Sequence, residues 1–241
     1  MSFRNGQQVR CFIGMVPAHA YLRSLGGSSS TDMLDTTVFR TVDNAPVRAR
    51  TFIPNTDTST FQCAGPLDTD ATSNGQYDAL TDLKGSQAPI TILPLGTDGG
   101  AWLVDGIETD ISFPTGISQT SDWSLTAQTT GATDINGVLV EDHVTVTIDT
   151  NGTALDNAAA TTNGAVAHLH VTAFSGFTDD VITIEDSANN LAWATIGTFT
   201  TVTGRTSERL VIAGTVRRYV RVVDNVTGTG SITRTVALSR R

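Results

Sequence analysis

The chain has 241 residues, of which 39% are hydrophobic and only 16% charged, with a formal net charge of −9. That length suits one large β-sandwich or two modules of roughly 100 to 130 residues. An acidic chain lacks the positive field that holds nucleic acid by releasing counterions from phosphate, and no apolar run approaches the ~18–20 residues of a membrane helix, so no membrane insertion is expected. Residues 1–135 carry 7 Lys/Arg against 14 Asp/Glu, net −7, and residues 136–241 carry 8 against 10, net −2. The acidity reads either as plain solubility or as a surface that repels DNA.

From the N-terminus, Arg4, Arg10, the apolar run from Cys11 to Val16 and Ala18-His19-Ala20 imitate a signal peptide. The run is short and interrupted by Gly14 and Pro17, so the segment is expected to be retained. The pattern predicts a strand over 9–13, one or two helical turns over 18–25 stopped by Gly26-Gly27, and a flexible polar link over 28–31. Strands follow over 36–41, 47–53 and 59–63, with turns at Asp43-Asn44 and Pro54-Asn55. Tyr77, Leu80 and Leu83 recur at helical spacing, which predicts a short helix ended by Gly85. Two strands over 90–94 and 101–107 come next, and alternating Trp123, Leu125 and Ala127 mark the last strand of the first half.

Residues 131–137 read as a boundary. Beyond it, seven short strands are predicted, over 144–148, 166–173, 181–184, 192–200, 209–212, 217–223 and 232–238, without a helix. The expected fold is mainly β: a β-sandwich or split barrel with one short helix, then a second, jelly-roll-like β-sandwich. The expected units are an N-terminal arm and lead-in over 1–30, a first domain over 31–135 and a second over 136–241.

Few residues suggest chemistry. His168 and His170 point to one face of a strand, as a metal pair with His143 or an acid would, or as two polar residues on a solvent face. Asp179-Asp180 and Glu185-Asp186 read as solvated turn charges, lacking the dense spacing of calcium loops. Cys11 and Cys63 are too few for a disulfide framework and read as buried thiols, neighbours in a sheet if the strands allow. There is no nucleophile elbow, phosphate loop, Cys-x-x-Cys or His-Glu-x-x-His motif. The expectation is a non-enzyme, with no catalytic residue, no metal and no cofactor. Trp193 reads as a core aromatic or, with Arg217, Tyr219 and Arg221 on one strand face, as a sugar platform.

Several segments resemble the major tail (tail tube) proteins of long-tailed, siphovirus-type bacteriophages. Tyr21-Leu22-Arg23-Ser24-Leu25 resembles the lead-in to that fold, and Asp35-Thr36-Thr37-x-Phe39 resembles the start of its next strand. Phe52-Ile53-Pro54 resembles an aromatic-Ile-Pro turn, with Asn55 where the family has Gly, and Gly65 with Asp68 match the Gly-x-x-Asp that follows. The resemblance covers roughly residues 7 to 130. A second one joins Asp186–Trp193 and the strand over 217–223 to galactose-binding-like (discoidin-type) jelly rolls, with Asn189 in place of the usual Asp.

The first resemblance implies a structural virion protein that polymerises as stacked, hexameric rings into a tail tube, the conduit for genome delivery. Its partners would be other copies of itself, the tape-measure, tail terminator and distal tail proteins, and passing double-stranded DNA held without specific binding. It would be located in the virion tail after assembly in the host cytoplasm. Six copies at −9 each bring −54 to a ring. Asp98, Asp105, Glu108, Asp110 and Asp122 are the candidate lumen-lining acids, and Arg4, Arg10, Tyr21, Arg23, Arg240 and Arg241 the candidate ring-to-ring contacts. Both chain ends are expected to be loose without a neighbour, and deletion of residues 1–24 is expected to leave folded subunits that form no long tubes. The alternatives are a capsid decoration or virion surface protein and a carbohydrate-binding β-sandwich.

Overall fold

The computed structural model describes residues 9–18, 23–35, 41–42, 45–46, 52–66, 80–94, 96, 100–113, 122–130 and 134–241. Its strands are β1 (Arg10–Ile13), β2 (Ser24–Asp35), β3 (Thr41–Val42), β4 (Ala45–Pro46), β5 (Phe52–Pro66), β6 (Gln87–Leu93), β7 (Gly100–Ser112), β8 (Asp122–Thr129), β9 (Asp134–Val146), β10 (Thr150–Asn151), β11 (Leu155–Asp156), β12 (Ala165–Ser187), β13 (Ala194–Thr198), β14 (Thr206–Ile212) and β15 (Tyr219–Arg240). Thirteen of them form one antiparallel sheet whose main path runs β13-β12-β15-β9-β7-β8-β5-β2. Strands β1 and β6 branch from β7, β14 from β12, and β10 and β11 from β15, while β3 pairs only with β4. The fold is mainly β, as the pattern of short apolar alternations and turn residues predicts. No helix among the described residues is long and apolar enough to cross a membrane.

Two long strands organise the second half. The four segments read as separate strands over 166–173, 181–184, 217–223 and 232–238 are two continuous strands, β12 and β15, paired along most of their lengths. From Val171 to Asp179, β12 advances eight residues while β15 advances seven, from Arg234 to Thr227. One net extra residue flips which side of β12 faces inward. Ala165, Ala167, Leu169 and Val171 therefore share a core with Ile182 and Ile184, at opposite parity. Bulge formation bends the pair so that both ends enclose that core, with Val220, Val222, Ile232, Val236 and Leu238 from β15. The bend needs glycine: Gly176 sits at φ 81° and Gly228 at φ 98°.

The first half has its own core of Cys11, Ile13, Phe61, Cys63, Leu80, Ile90, Val104, Trp123, Leu125 and Ala127. Cys11 and Cys63 are free and buried. They stand on non-adjacent strands, and burial pushes both thiols well above their ordinary range. Leu80, fully buried in this core, lies on the end of the expected helix, where the Leu83 N–H donates to its carbonyl at 3.2 Å. Tyr77 lies outside the described residues.

Several local expectations are corrected. Residues 24–31 are neither helix nor flexible link but the first two-thirds of β2, because β5 supplies an antiparallel partner along the whole segment. Pro54-Asn55 is not a turn between strands. It lies inside β5 at a register shift, where Thr31 pairs with Asp57 but Met33 with Pro54, and the irregularity accommodates a residue without an N–H. Deleting residues 1–24 would not leave the subunit intact either. Phe12 is fully buried, Ile13 nearly so, and β1 is hydrogen-bonded to β6.

The segment expected as a boundary is a seam. β9 begins at Asp134 and pairs with both neighbours, so that Val138 stands opposite Gly100 of β7 and Leu238 of β15. Phe12, Leu93, Ala101, Leu103, Val166 and Ala237 form a small third core there. A Cβ on Gly137 would stand 2.3 Å from Leu103 Cδ1 and 2.8 Å from the Ala101 carbonyl oxygen. Gly137→Ala is therefore expected to destabilise the fold by about 1–3 kcal/mol, the usual cost of overpacking. Thermal or denaturant unfolding measures it, and an unchanged midpoint would show that the seam yields freely.

Candidate assembly interface

A two-stranded ribbon of β2 and β5 extends from the sheet. β8 supports β5 only from Thr60 to Pro66, and the Thr129 hydroxyl adds a contact to the Ser59 backbone. The β2–β5 pairing runs on from Ser30↔Thr58 to Asp35↔Phe52 with no third strand among the described residues. At ~3.4 Å per residue this arm reaches about 20 Å beyond the sheet. Two-stranded ribbons are marginal in water, so the arm gains stability where a further surface covers it.

At the root of the arm lies an apolar groove of about 470 Å³, lined by Leu25, Phe61, Ile92, Pro94, Trp102 and Val104 together with glycine, serine and threonine positions. Among the described residues, no charged one lines it. Trp102 is 42% exposed on its wall, an unusual setting for a large aromatic on an isolated subunit. Arm and groove were not legible as sites in the sequence, because each depends on where the β5–β8 pairing stops.

The candidate lumen acids disperse. Asp98 lies outside the described residues. Asp105 and Glu108 are 8% and 5% exposed, so both are buried within the subunit. Asp105 accepts a hydrogen bond from Gln87 and lies 3.8 Å from Arg209. Burial pushes Glu108 up to about 7 against the pull of Lys84, with Asp110 adding to the rise. Asp110 is exposed, and half-exposed Asp122 pairs with Arg23 at 2.9 Å.

The candidate ring contacts are largely engaged at home. Arg4 and Tyr21 lie outside the described residues. Arg10 is ion-paired with Asp142 of β9, tying β1 to the seam. Arg240 donates to the Ala159 and Asn157 carbonyls, and the Arg241 N–H donates to the Gly164 carbonyl at 3.0 Å. The C-terminus is therefore no loose end, because β15 runs as ladder to Arg240.

The candidate sugar platform is a set of closed pairs. Trp193 is not a core residue; it is half-buried with the Arg221 guanidinium 4.3 Å over its ring. Arg221 is held by Glu185 at 2.7 Å and Arg217 by Asp186 at 2.8 Å. Arg218 pairs with Asp156 at 2.6 Å and covers the Tyr219 ring at 5.0 Å. These arginines spend their charge on carboxylates, and Arg218 and Arg221 lay their planes on aromatic faces. Asp186 is 1% exposed, which corrects its reading as a solvated turn charge.

Two buried polar clusters escaped sequence reading. His168 and His170 are fully buried, not on a solvent face, because the β12 face opposite the second-half core packs against β6. Thr91 Oγ1 of β6 lies 3.1 Å from His168 Nδ1 and 2.7 Å from His170 Nε2, and His170 Nδ1 lies 2.6 Å from the Gly14 carbonyl. His143 is exposed, and among the described residues no three His, Cys, Asp or Glu are grouped to hold a metal. In the second cluster, fully buried Arg234 donates through Nε to Asp224 at 2.6 Å and also binds Glu141. Asp180, read as a turn charge, is fully buried beside this cluster. Burial and the neighbouring Asp224 push its carboxyl up to about 7, against the pull of Arg234.

No protein-family model matches the sequence, and no curated protein matches it. The structure is similar to a chain in the virion of a native gene transfer agent particle, at 16% identity and a TM-score of 0.41, over 55% of this chain and 98% of that one. It is similar to a chain in the tail of an empty gene transfer agent particle, at 14% identity and a TM-score of 0.42, with the same coverage of each. A third similarity, to the SPP1 Dit protein of a phage adsorption apparatus, has 13% identity and a TM-score of 0.33 over 94% of this chain and 98% of that one.

Asp180 keeps a proton in the folded state up to about pH 7 that an exposed aspartate loses near 4. Its contribution to stability is present below pH ~4 and is lost as pH rises through ~7. Asp180→Asn, which resembles the protonated acid, should therefore raise the denaturation midpoint at pH 8 more than at pH 5. Urea unfolding at both values checks this, and an equal shift at both would place the Asp180 proton elsewhere.

Proposed function

We propose that this chain is a structural subunit of a long-tailed bacteriophage tail, polymerising as stacked hexameric rings into the tail tube. The arm carries this reading: a ribbon of about 20 Å with no third strand among the described residues fits a segment completed by a neighbouring subunit. The uncharged groove at its root, with Trp102 on its wall, offers that neighbour apolar area to bury. The arm overlaps the segments that resemble tail tube proteins: Asp35 of Asp35-Thr36-Thr37-x-Phe39 closes β2, and Phe52-Ile53-Pro54 opens β5.

In this reading the first half builds the wall and the second half the exterior. The chain performs no catalysis and takes no cofactor. It meets the tape-measure protein and, later, double-stranded DNA inside the tube, and the terminator and distal tail proteins at its ends. Exposed Asp110 and half-exposed Asp122 are the lumen candidates among the described residues. Asp110 would repel phosphate within the ~8 Å Debye length, which discourages adhesion of sliding DNA, while Asp122 shares its charge with Arg23.

Negative-stain electron microscopy of concentrated protein tests the reading, with hollow tubes or stacked rings expected. A variant in which residues 30–58 are replaced by an Asn-Gly turn, closing the hairpin at the Ser29↔Ser59 pair, should remain folded by circular dichroism and form no tubes. Tubes of normal length from this variant would remove the arm from the mechanism. Strictly monomeric or trimeric particles from the unaltered chain would favour a decoration protein of the virion surface.

A further inference from the structure

The contact between β6 and β12 has one self-consistent arrangement of protons. A carbonyl only accepts, so His170 Nδ1, 2.6 Å from the Gly14 oxygen, carries a hydrogen and its Nε2 is bare. That bare nitrogen accepts from the Thr91 hydroxyl at 2.7 Å. Having donated its single proton, Thr91 Oγ1 accepts at 3.1 Å from His168 Nδ1–H. His168 Nε2 is then a bare lone pair, buried and without a hydrogen-bond partner among the described residues. Both rings are neutral Nδ1–H tautomers.

This chain has no place for another proton. A hydrogen added to His170 Nε2 would face the Thr91 oxygen and turn the hydroxyl toward His168. His168 would then have to move its own proton to Nε2, where no acceptor waits. A proton placed directly on His168 Nε2 meets the same lack. The surroundings give little relief. Arg209 of β14 stands opposite His168 and Ser207 opposite His170. On the other flank are Ala237 and Thr235 of β15. The Phe12 ring of β1 stacks on His170 at 5.4 Å. Among the described residues, the carboxylate nearest Arg209 is Asp105, 3.8 Å from that guanidinium. Burial, then His170 and Arg209, depress His168; the nearby Ile90 carbonyl alone favours its charged form. Burial holds His170 at about 4 despite its bond to Gly14.

We propose that the His168–Thr91–His170 chain is an acid-released latch that docks β1 and β6 of the first half onto β12 of the second. Its logic is independent of the tail reading. Below about pH 6.5 an opened histidine gains a proton that the closed one refuses, so the opening equilibrium grows about tenfold per pH unit for each histidine exposed. Closure is favoured above that range and progressively lost toward about pH 4.

Hydrogen exchange of the full chain, corrected for the intrinsic rate at each pH, reads the latch by segment. Between pH 7 and 4.5, protection in Arg10–Ile13 and Gln87–Leu93 should fall by about a hundredfold or more, while Val220 and Val222 of β15 keep theirs. In the double variant His168→Asn, His170→Gln, amides supply donors and acceptors without titrating, and the acid loss should disappear. Unchanged protection of β1 and β6 in acid, loss only together with β15, or an equal acid loss in the double variant would each overturn the latch. Histidine ¹⁵N spectra of the unaltered protein at pH 7 give a second decision: two Nδ1–H tautomers are expected, and an Nε2–H ring at either position would refute the chain of donors.

Discussion

The fold depends on the ladder between β12 and β15. Every other strand of the second half is pinned to one of these two, and β9 carries the same sheet into the first half through β7. One uncompensated residue in β12 lets a single strand pair present apolar side chains at odd positions before the bend and even positions after it. Without that flip, Ile182 and Ile184 would point outward and the core would lose one wall. The cost is borne by backbone at the bend. A Cβ on Gly230 would lie 2.1 Å from the Ser175 oxygen, so no side chain fits where the two strands cross closest.

Bending has an electrostatic consequence. The ladder brings Asp180, Asp224 and Arg234 together in the interior, with Glu141 from β9. One guanidinium cannot neutralise three carboxylates in a low-dielectric setting, so a proton is retained on an acid where solvent would remove it. The histidines at the β6 contact do the reverse and refuse a proton that solvent would add. Between about pH 4 and 6.5, the raised Asp180 and Glu108 make stability fall with rising pH, while the lowered His168 and His170 make it rise. These opposing slopes fall in different parts of the molecule. The two kinds of site therefore shift their own contacts in opposite directions across mild acid.

What the sequence made legible follows from what a strand exposes to simple counting. Trp123, Leu125 and Ala127 alternate without interruption, β8 has one buried face, and the reading was direct. β12 alternates twice with opposite phase, so pattern reading split it in two. Gly137 looked like a linker because glycine marks both turns and close approaches, and only the position of Ala101 across the ladder distinguishes them. His168 and His170 share a face by any count, but whether that face meets water or β6 is a tertiary fact. Trp193 was misplaced for the opposite reason: a large aromatic usually buries, yet here an arginine held by Glu185 covers its ring.

The distribution of charge narrows what kind of surface the acidity can make. In the second half, Glu141, Asp142, Asp156, Glu185, Asp186 and Asp224 all pair with arginines. In the first half Asp105 and Glu108 are enclosed, and Glu108 is held up to about 7. The formal −9 therefore overstates the field that reaches solvent near neutral pH. In the proposed assembly, the β2–β5 arm of one subunit would meet the groove at the root of the next subunit's arm. Such a contact joins two different patches of the same chain, and repetition of a heterologous contact builds rings or filaments rather than closed dimers.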